Sequence, residues 1–213
     1  MNFDKFIDLV PKIRNLSLPG QEAQFLMAPI ERVKELSTTA IEKKNPKQAG
    51  VMALLYPYRG KETYLVLILR KTYKGVHSNQ VGFPGGKVEP EDAHLEATAL
   101  RETEEEIGVN RKDIAVVKQM TNIYIPPSNF WVQSFIGYTQ HHPQFTPQPS
   151  EVEAIIEVPL QEFLSDTSHI ETTLSTSYAT DITVPAFDLQ GHVVWGATAM
   201  MLSEMKQLFK KLV

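Results

Sequence analysis

A glycine turn runs into an acid-rich helical stretch in the middle of this chain, and together they dictate a helix whose charge is gathered on one side. Phe83-Pro84-Gly85-Gly86 precedes a helical pattern over 90–107 that Gly108 stops. At about 100° per residue, Glu102, Glu105 and Glu106 fall at i, i+3 and i+4 and share one face. Ala93, Ala97, Leu100 and Ile107 form a narrow apolar stripe nearly opposite, predicted to dock on a sheet and leave the carboxylates facing away. Like charges at this spacing repel by roughly 0.2–0.5 kcal/mol per pair, so the cluster calls for compensation. A hard cation such as Mg²⁺, which takes oxygen ligands, supplies it; the alternative is an ordinary solvated acidic face. Gly85 and Gly86 favour the cation, because bare backbone approaches a ligand closely.

Strands surround this helix. The stretches 49–56 and 63–69 are apolar and flank Pro57-Tyr58-Arg59-Gly60-Lys61, which predicts a hairpin. Further strands are expected at 80–83, 114–120, 130–138, 152–158 and 192–195, with a last helix over 197–212. Phe3, Phe6, Ile7 and Val10 recur at helical spacing before Pro11, a second short helix is expected over 29–36, and the polar, proline-broken stretch 42–47 reads as a linker. The expected organisation is a helical N-terminal extension, residues 1–45, packed on a main domain, residues 46–213, of α/β class.

Cysteine is absent, which excludes disulfides, thiolate nucleophiles and zinc-thiolate sites and leaves catalysis to oxygen and nitrogen groups. A net charge of −4 argues against broad binding to a nucleic-acid backbone. The apolar runs 51–56 and 64–69 fall far below the roughly 20 residues of a membrane span, so no membrane association is expected. Acids near the amino terminus stand where a signal peptide needs basic and then apolar residues, so a cytoplasmic location is expected. The six histidines show no metal-ligand spacing and read as surface residues.

The segment from Gly86 to Val109 resembles the Nudix box: Gly, five residues, Glu, seven residues, then Arg-Glu-apolar-x-Glu-Glu-x-Gly-apolar. Arg101 to Val109 fits the second half except at Thr103; in the first half Asp92 stands for Glu, and eight residues rather than seven separate it from Arg101. The resemblance implies an α/β/α sandwich with a mixed sheet and a Mg²⁺- or Mn²⁺-dependent hydrolase of nucleoside diphosphate derivatives. It carries Glu102, Glu105 and Glu106 over as metal ligands, with the Gly85 carbonyl as a further one. Arg101 is expected to orient a glutamate by a charge-assisted hydrogen bond. Glu102 is the expected base, with Glu151, after the proline-rich loop, as the alternative.

The stretch from Leu67 to Gly86 is similar to the extra motif of the coenzyme A diphosphatase branch, with Gly75 in place of Arg and Asn79 in place of Gly. The segments Ser128-Asn129-Phe130, Ser150-Glu151-Val152 and Val194-Trp195-Gly196-Ala197-Thr198-Ala199 also look like this branch. The branch implies a coenzyme A-type small-molecule substrate cleaved to 3′,5′-ADP and 4′-phosphopantetheine, with Arg70 or Lys74 meeting a phosphate and Phe83 and Gly86 lining the substrate. A homodimer is an open expectation. Two other readings stay open: a Nudix hydrolase of ADP-ribose or another nucleoside diphosphate derivative, and a Nudix-fold module that senses a nucleotide without turnover. Phe83 and Phe130 read equally as core or as stacking rings, whereas Trp195, Met200, Met201 and Met205 read as packing.

Overall fold

The computed structural model of the chain describes residues 1–29, 44–71, 80–174 and 181–212. Strand β1 (Lys47–Tyr58) and strand β2 (Glu62–Arg70) form the expected hairpin, registered from Leu55 opposite Leu65 to Tyr58 opposite Glu62. Around them lie β3 (Val81–Gly82), β4 (Gly85–Lys87), β5 (Ala115–Gln119), β6 (Ile123–Ile125), β7 (Phe130–Tyr138) and β8 (Val152–Pro159). β1 pairs in parallel with β7, from Lys47 opposite Phe130 to Leu55 opposite Tyr138, while β2 and β4 join β1 antiparallel, which makes the sheet mixed.

The near-continuous apolar character of β1 and β2 follows from burial on both faces. Along β1, Val51, Ala53 and Leu55 enter one core, whereas Met52, Leu54 and Tyr56 enter another; Leu65 and Leu67 of β2 join the first, Tyr64, Val66 and Ile68 the second. Helix α1 (Phe3–Asn15) covers the first face through Phe3, Phe6, Val10 and Ile13, with Phe6 stacked on Phe209 of the last helix. Helix α2 (Gln21–Phe25) is tied to that last helix by the Glu204 carboxylate, which accepts the Gly20 N–H and the Gln24 amide. Helix α3 (Leu95–Ile107) covers the second face through Ala99 and Ile107. Helix α4 (Leu160–Leu164) leads to a small antiparallel sheet of β9 (His169–Leu174), β10 (Ile182–Leu189) and β11 (His192–Trp195), and helix α5 (Gly196–Lys210) closes the chain. The architecture is the expected α/β class with a mixed sheet between helices. Among the described residues, no helix is long and apolar enough to cross a membrane.

Several expectations are corrected. Helix α3 begins at Leu95 rather than Pro90, because residues 89–92 form a turn in which Asp92 N–H donates to the Glu89 carbonyl at 3.1 Å, and His94 caps the helix by accepting the Ala97 N–H at 3.1 Å. Helix α1 continues through Pro11. The linker ends sooner than expected, since Lys47 already opens β1, and β4, β6, β9, β10 and α4 were not anticipated. The short helix expected over 29–36 and the first part of the linker lie outside the described residues apart from Pro29.

Candidate active site

The site is built where α3 rests on glycines. A Cβ placed on Gly50 of β1 meets the Leu95 carbonyl at 2.2 Å, so the helix backbone lies directly on the strand. Gly85 holds a φ of +150°, and a Cβ there meets the Gly50 carbonyl at 2.4 Å; only glycine satisfies both conditions. At Gly86 a Cβ comes within 2.4 Å of the Glu102 carboxyl group. The close approach decides which face of α3 is buried, and of the Ala93, Ala97, Leu100 and Ile107 stripe only Ile107 lies on it. Thr98, Ala99, Arg101, Thr103 and Glu106 are buried with Ile107, whereas Ala93 is exposed and Ala97 and Leu100 are only partly covered. Buried polar groups need partners, and the two threonines have them: Thr103 Oγ1 donates to the Ala99 carbonyl at 2.6 Å and Thr98 Oγ1 to Asp92 at 2.9 Å. Thr103, the departure from an apolar position, is accommodated in this way.

Two arginines organise the carboxylates. Arg101 grips Asp92 through Nε and Nη2 at 3.0 and 2.9 Å, and its Nη1 donates to Glu102 Oε1 at 3.0 Å and to Glu105 Oε2 at 2.9 Å. The guanidinium hydrogen bonds hold Asp92 well below the ordinary carboxylate value, against the opposing effect of burial. Burial pushes Glu102 up, opposed by Arg101 and reinforced by Glu105 and Glu151. Glu106 is almost wholly buried; its Oε2 accepts the Gly85 N–H at 2.7 Å, and its Oε1 lies 3.3 Å from Arg70 Nη1. Burial pushes its carboxyl to about 7, with Arg70 and the Gly85 N–H opposing and Glu102 and Glu151 adding.

The residues singled out in the sequence divide as follows. Glu102, Glu106, Gly85, Gly86, Arg101 and Arg70 meet at the junction of β4, β2 and α3. Glu105 stands at the edge, 53% exposed at its side chain. Glu151 occupies the exposed turn before β8, close enough for its charge to raise both Glu102 and Glu106. Phe83, expected to line the substrate, is 3% exposed within the core, its apolar ring taken up by packing. Lys74 lies outside the described residues. The anchoring of Arg101 by Asp92 was not anticipated, nor was the reach of Arg70 to Glu106. The one available signal for the first was Asp92 itself, which helical periodicity cannot connect to Arg101 because it precedes the helix.

Five carboxylates, of Asp92, Glu102, Glu105, Glu106 and Glu151, face two guanidiniums here, so net negative charge remains. Among the described residues, no three acidic or histidine side chains converge as a finished ligand set. Glu106 Oε1 is nevertheless buried without a hydrogen-bond partner. An all-oxygen donor set with excess charge and one orphaned buried oxygen fits a hard divalent cation.

A family profile described as NUDIX domain matches residues 46–175. The peroxisomal coenzyme A diphosphatase of Caenorhabditis elegans is 29% identical over 173 residues, covering 81% of this chain and 73% of that protein. The mitochondrial coenzyme A diphosphatase of Homo sapiens is 31% identical over 171 residues, covering 80% of this chain and 72% of that protein. Among solved structures, a Nudix hydrolase from M. Smegmatis, RenU, gives a TM-score of 0.55 at 12% identity, covering 79% of this chain and 88% of that chain, a likeness of fold alone.

Proposed function

The chain belongs to the Nudix hydrolase family, and on that premise we propose that it hydrolyses the diphosphate bond of coenzyme A or its derivatives to 3′,5′-ADP and 4′-phosphopantetheine. The observation that carries the substrate is the similarity to two coenzyme A diphosphatases over about four-fifths of the chain. Nudix hydrolases generally use divalent metal ions, and in this reading Mg²⁺ or Mn²⁺ is held by Glu102, Glu105, Glu106 and the Gly85 carbonyl. Bound there, the ion supplies charge neutralisation of the diphosphate and acidification of the attacking water.

The protein groups divide the remaining work. Arg101, fixed by Asp92, orients Glu102 and Glu105. Glu102, pushed up by burial, accepts the proton of the attacking water, with Glu151 at the rim as the alternative base. Gly86 leaves room for the Glu102 carboxylate and lines the substrate. Arg70, or Lys74 from the adjoining stretch, meets a substrate phosphate; an arginine grips one bidentately, whereas a lysine acts as a point charge. Retention of Arg101 and all three helix glutamates favours turnover over nucleotide sensing.

The same reading takes residues 1–45 as an extension and 46–213 as the hydrolase domain, with a homodimer and a cytoplasmic location; light scattering and cell fractionation test the last two. The decisive experiment presents coenzyme A, dephospho-coenzyme A and ADP-ribose with Mg²⁺ or Mn²⁺ and reads products by mass. Cleavage of coenzyme A to the two stated products is expected. A wide preference for ADP-ribose overturns the substrate, and absence of turnover on the whole panel overturns hydrolysis of these diphosphates.

A further inference from the structure

Arg70 ends β2 where pairing with β8 slips register between Leu69 and Arg70, an irregularity of the kind that re-aims a side chain. Its guanidinium turns to the glycine turn: Nη2 donates to the Gly85 carbonyl at 2.7 Å, and Nη1 lies 3.3 Å from Glu106 Oε1. Glu106 in turn accepts the Gly85 N–H at 2.7 Å through Oε2. Guanidinium, peptide and carboxylate thus close a ring.

This ring differs from the one around Arg101. Every carboxylate that Arg101 touches receives a hydrogen bond from it. Glu106 Oε1 receives charge from Arg70 without a hydrogen bond, and the Glu106 side chain is only 2% exposed, so water cannot complete its shell. Arg70, with a quarter of its side chain exposed, has an open way out. It covers the Gly85 carbonyl and Glu106 Oε1, two oxygens that the proposed function gives to a divalent cation. Two cations on the same oxygens repel, and the repulsion grows as the surroundings become less polarisable.

From this geometry we infer that Arg70 is a resident counter-charge that competes with the divalent cation for Glu106 and the Gly85 carbonyl. It neutralises the buried carboxylate and braces the glycine turn while the metal is away, and metal entry releases it. The inference rests on the proposed metal site.

The test is Mn²⁺ binding to substrate-free protein by isothermal titration calorimetry. Arg70→Gln is expected to bind Mn²⁺ about tenfold more tightly than wild type, the scale of one partly screened charge contact, and to unfold at a lower temperature in chelator. Lys71→Gln, which removes a neighbouring cation paired on the surface with Glu153, is expected to leave the affinity unchanged. Unchanged or weaker binding in Arg70→Gln, with binding lost in Glu106→Gln, overturns the competition and leaves the metal site standing. Absence of Mn²⁺ binding in both wild type and Arg70→Gln removes both. Should Arg70→Gln not fold, Arg70→Lys decides: without the fork to cover both oxygens it is expected to bind about two- to threefold more tightly, and unchanged or weaker binding overturns the inference.

Discussion

Replacing Glu106 with Gln should change how the stability of the metal-free protein depends on pH. Burial raises the Glu106 carboxyl from 4.5 to about 7 in the folded chain, so between those values the folded state holds a proton that the unfolded state has released. Stability contributed by this group is therefore present below about 4.5 and is lost as pH rises through about 7. A difference of that size corresponds to about 3 kcal/mol, on the order of a third of the stability of a typical domain. Glutamine keeps an oxygen for the Gly85 N–H and has no proton to lose. Urea unfolding in chelator from pH 4.5 to 8 should show the variant gaining on wild type by about 3 kcal/mol across the window. The difference between the two proteins reports Glu106 together with its charge coupling to Glu102, and excludes Asp92, whose effect belongs to more acidic solution. Parallel curves, or a wild type that gains on the variant as pH rises, would show that Glu106 is not held in this environment.

Gly86→Ala should lower kcat/KM by about a hundredfold while leaving unfolding nearly unchanged, because the added Cβ strikes the movable Glu102 carboxyl group rather than backbone; near-normal turnover would refute the close fit. Asp92→Asn should destabilise the protein by about 2 kcal/mol, less than a fully orphaned buried arginine, because Arg101 keeps its other acceptors. Asp92 lies below its ordinary value when folded, so its contribution is present above the unfolded value and is lost as pH falls; Asn should remove this acid-side loss in denaturant titrations. Glu102→Gln should cut turnover by about 10² to 10⁴ and remove the acid limb of the pH–rate profile, whereas Glu151→Gln should retain that limb. Unchanged profiles in both variants would leave the proposed mechanism without a base.

The central hairpin of the large sheet was readable because β1 and β2 are buried on both faces, and two-sided burial writes an unbroken apolar run into the sequence, whereas the three-residue strands β4 and β6 write none. The small sheet carries a fainter pattern. β9 alternates exposed and half-buried residues with His169, Glu171 and two threonines among them, and β10 places Pro185 and Asp188 inside a strand, both depleted in strands. Pairing with β9 and β11, along with burial of Val184, Ala186, Phe187 and Leu189, overrides that local preference. Such pairing is settled by the tertiary structure and leaves little trace in a window of one strand.

At the site the limit is different. Spacing set Glu102, Glu105 and Glu106 on one side of the helix, where Glu106 is buried and Glu105 stands at the edge; hydrophobic periodicity misplaced the buried side, because it assumes that the apolar stripe is the buried one. Here Gly50, Gly85 and Gly86 remove the side-chain layer that normally separates helix from sheet. Polar residues can then be buried at the contact, provided that each finds a partner: Thr98 in Asp92, Thr103 in its own helix, Glu106 in the Gly85 peptide and Arg70. The glycines and the polar face are therefore one device. Making the helix face apolar would spare the cost of burying charge but would also remove the carboxylates from the place where the glycine turn meets them, while a Cβ on Gly85 would collide with the Gly50 carbonyl and part the turn from the strand. A helix docked by its apolar stripe would present three solvated glutamates with ordinary acidity, whereas docking by the polar face raises Glu102 and Glu106 and leaves one oxygen without a hydrogen bond.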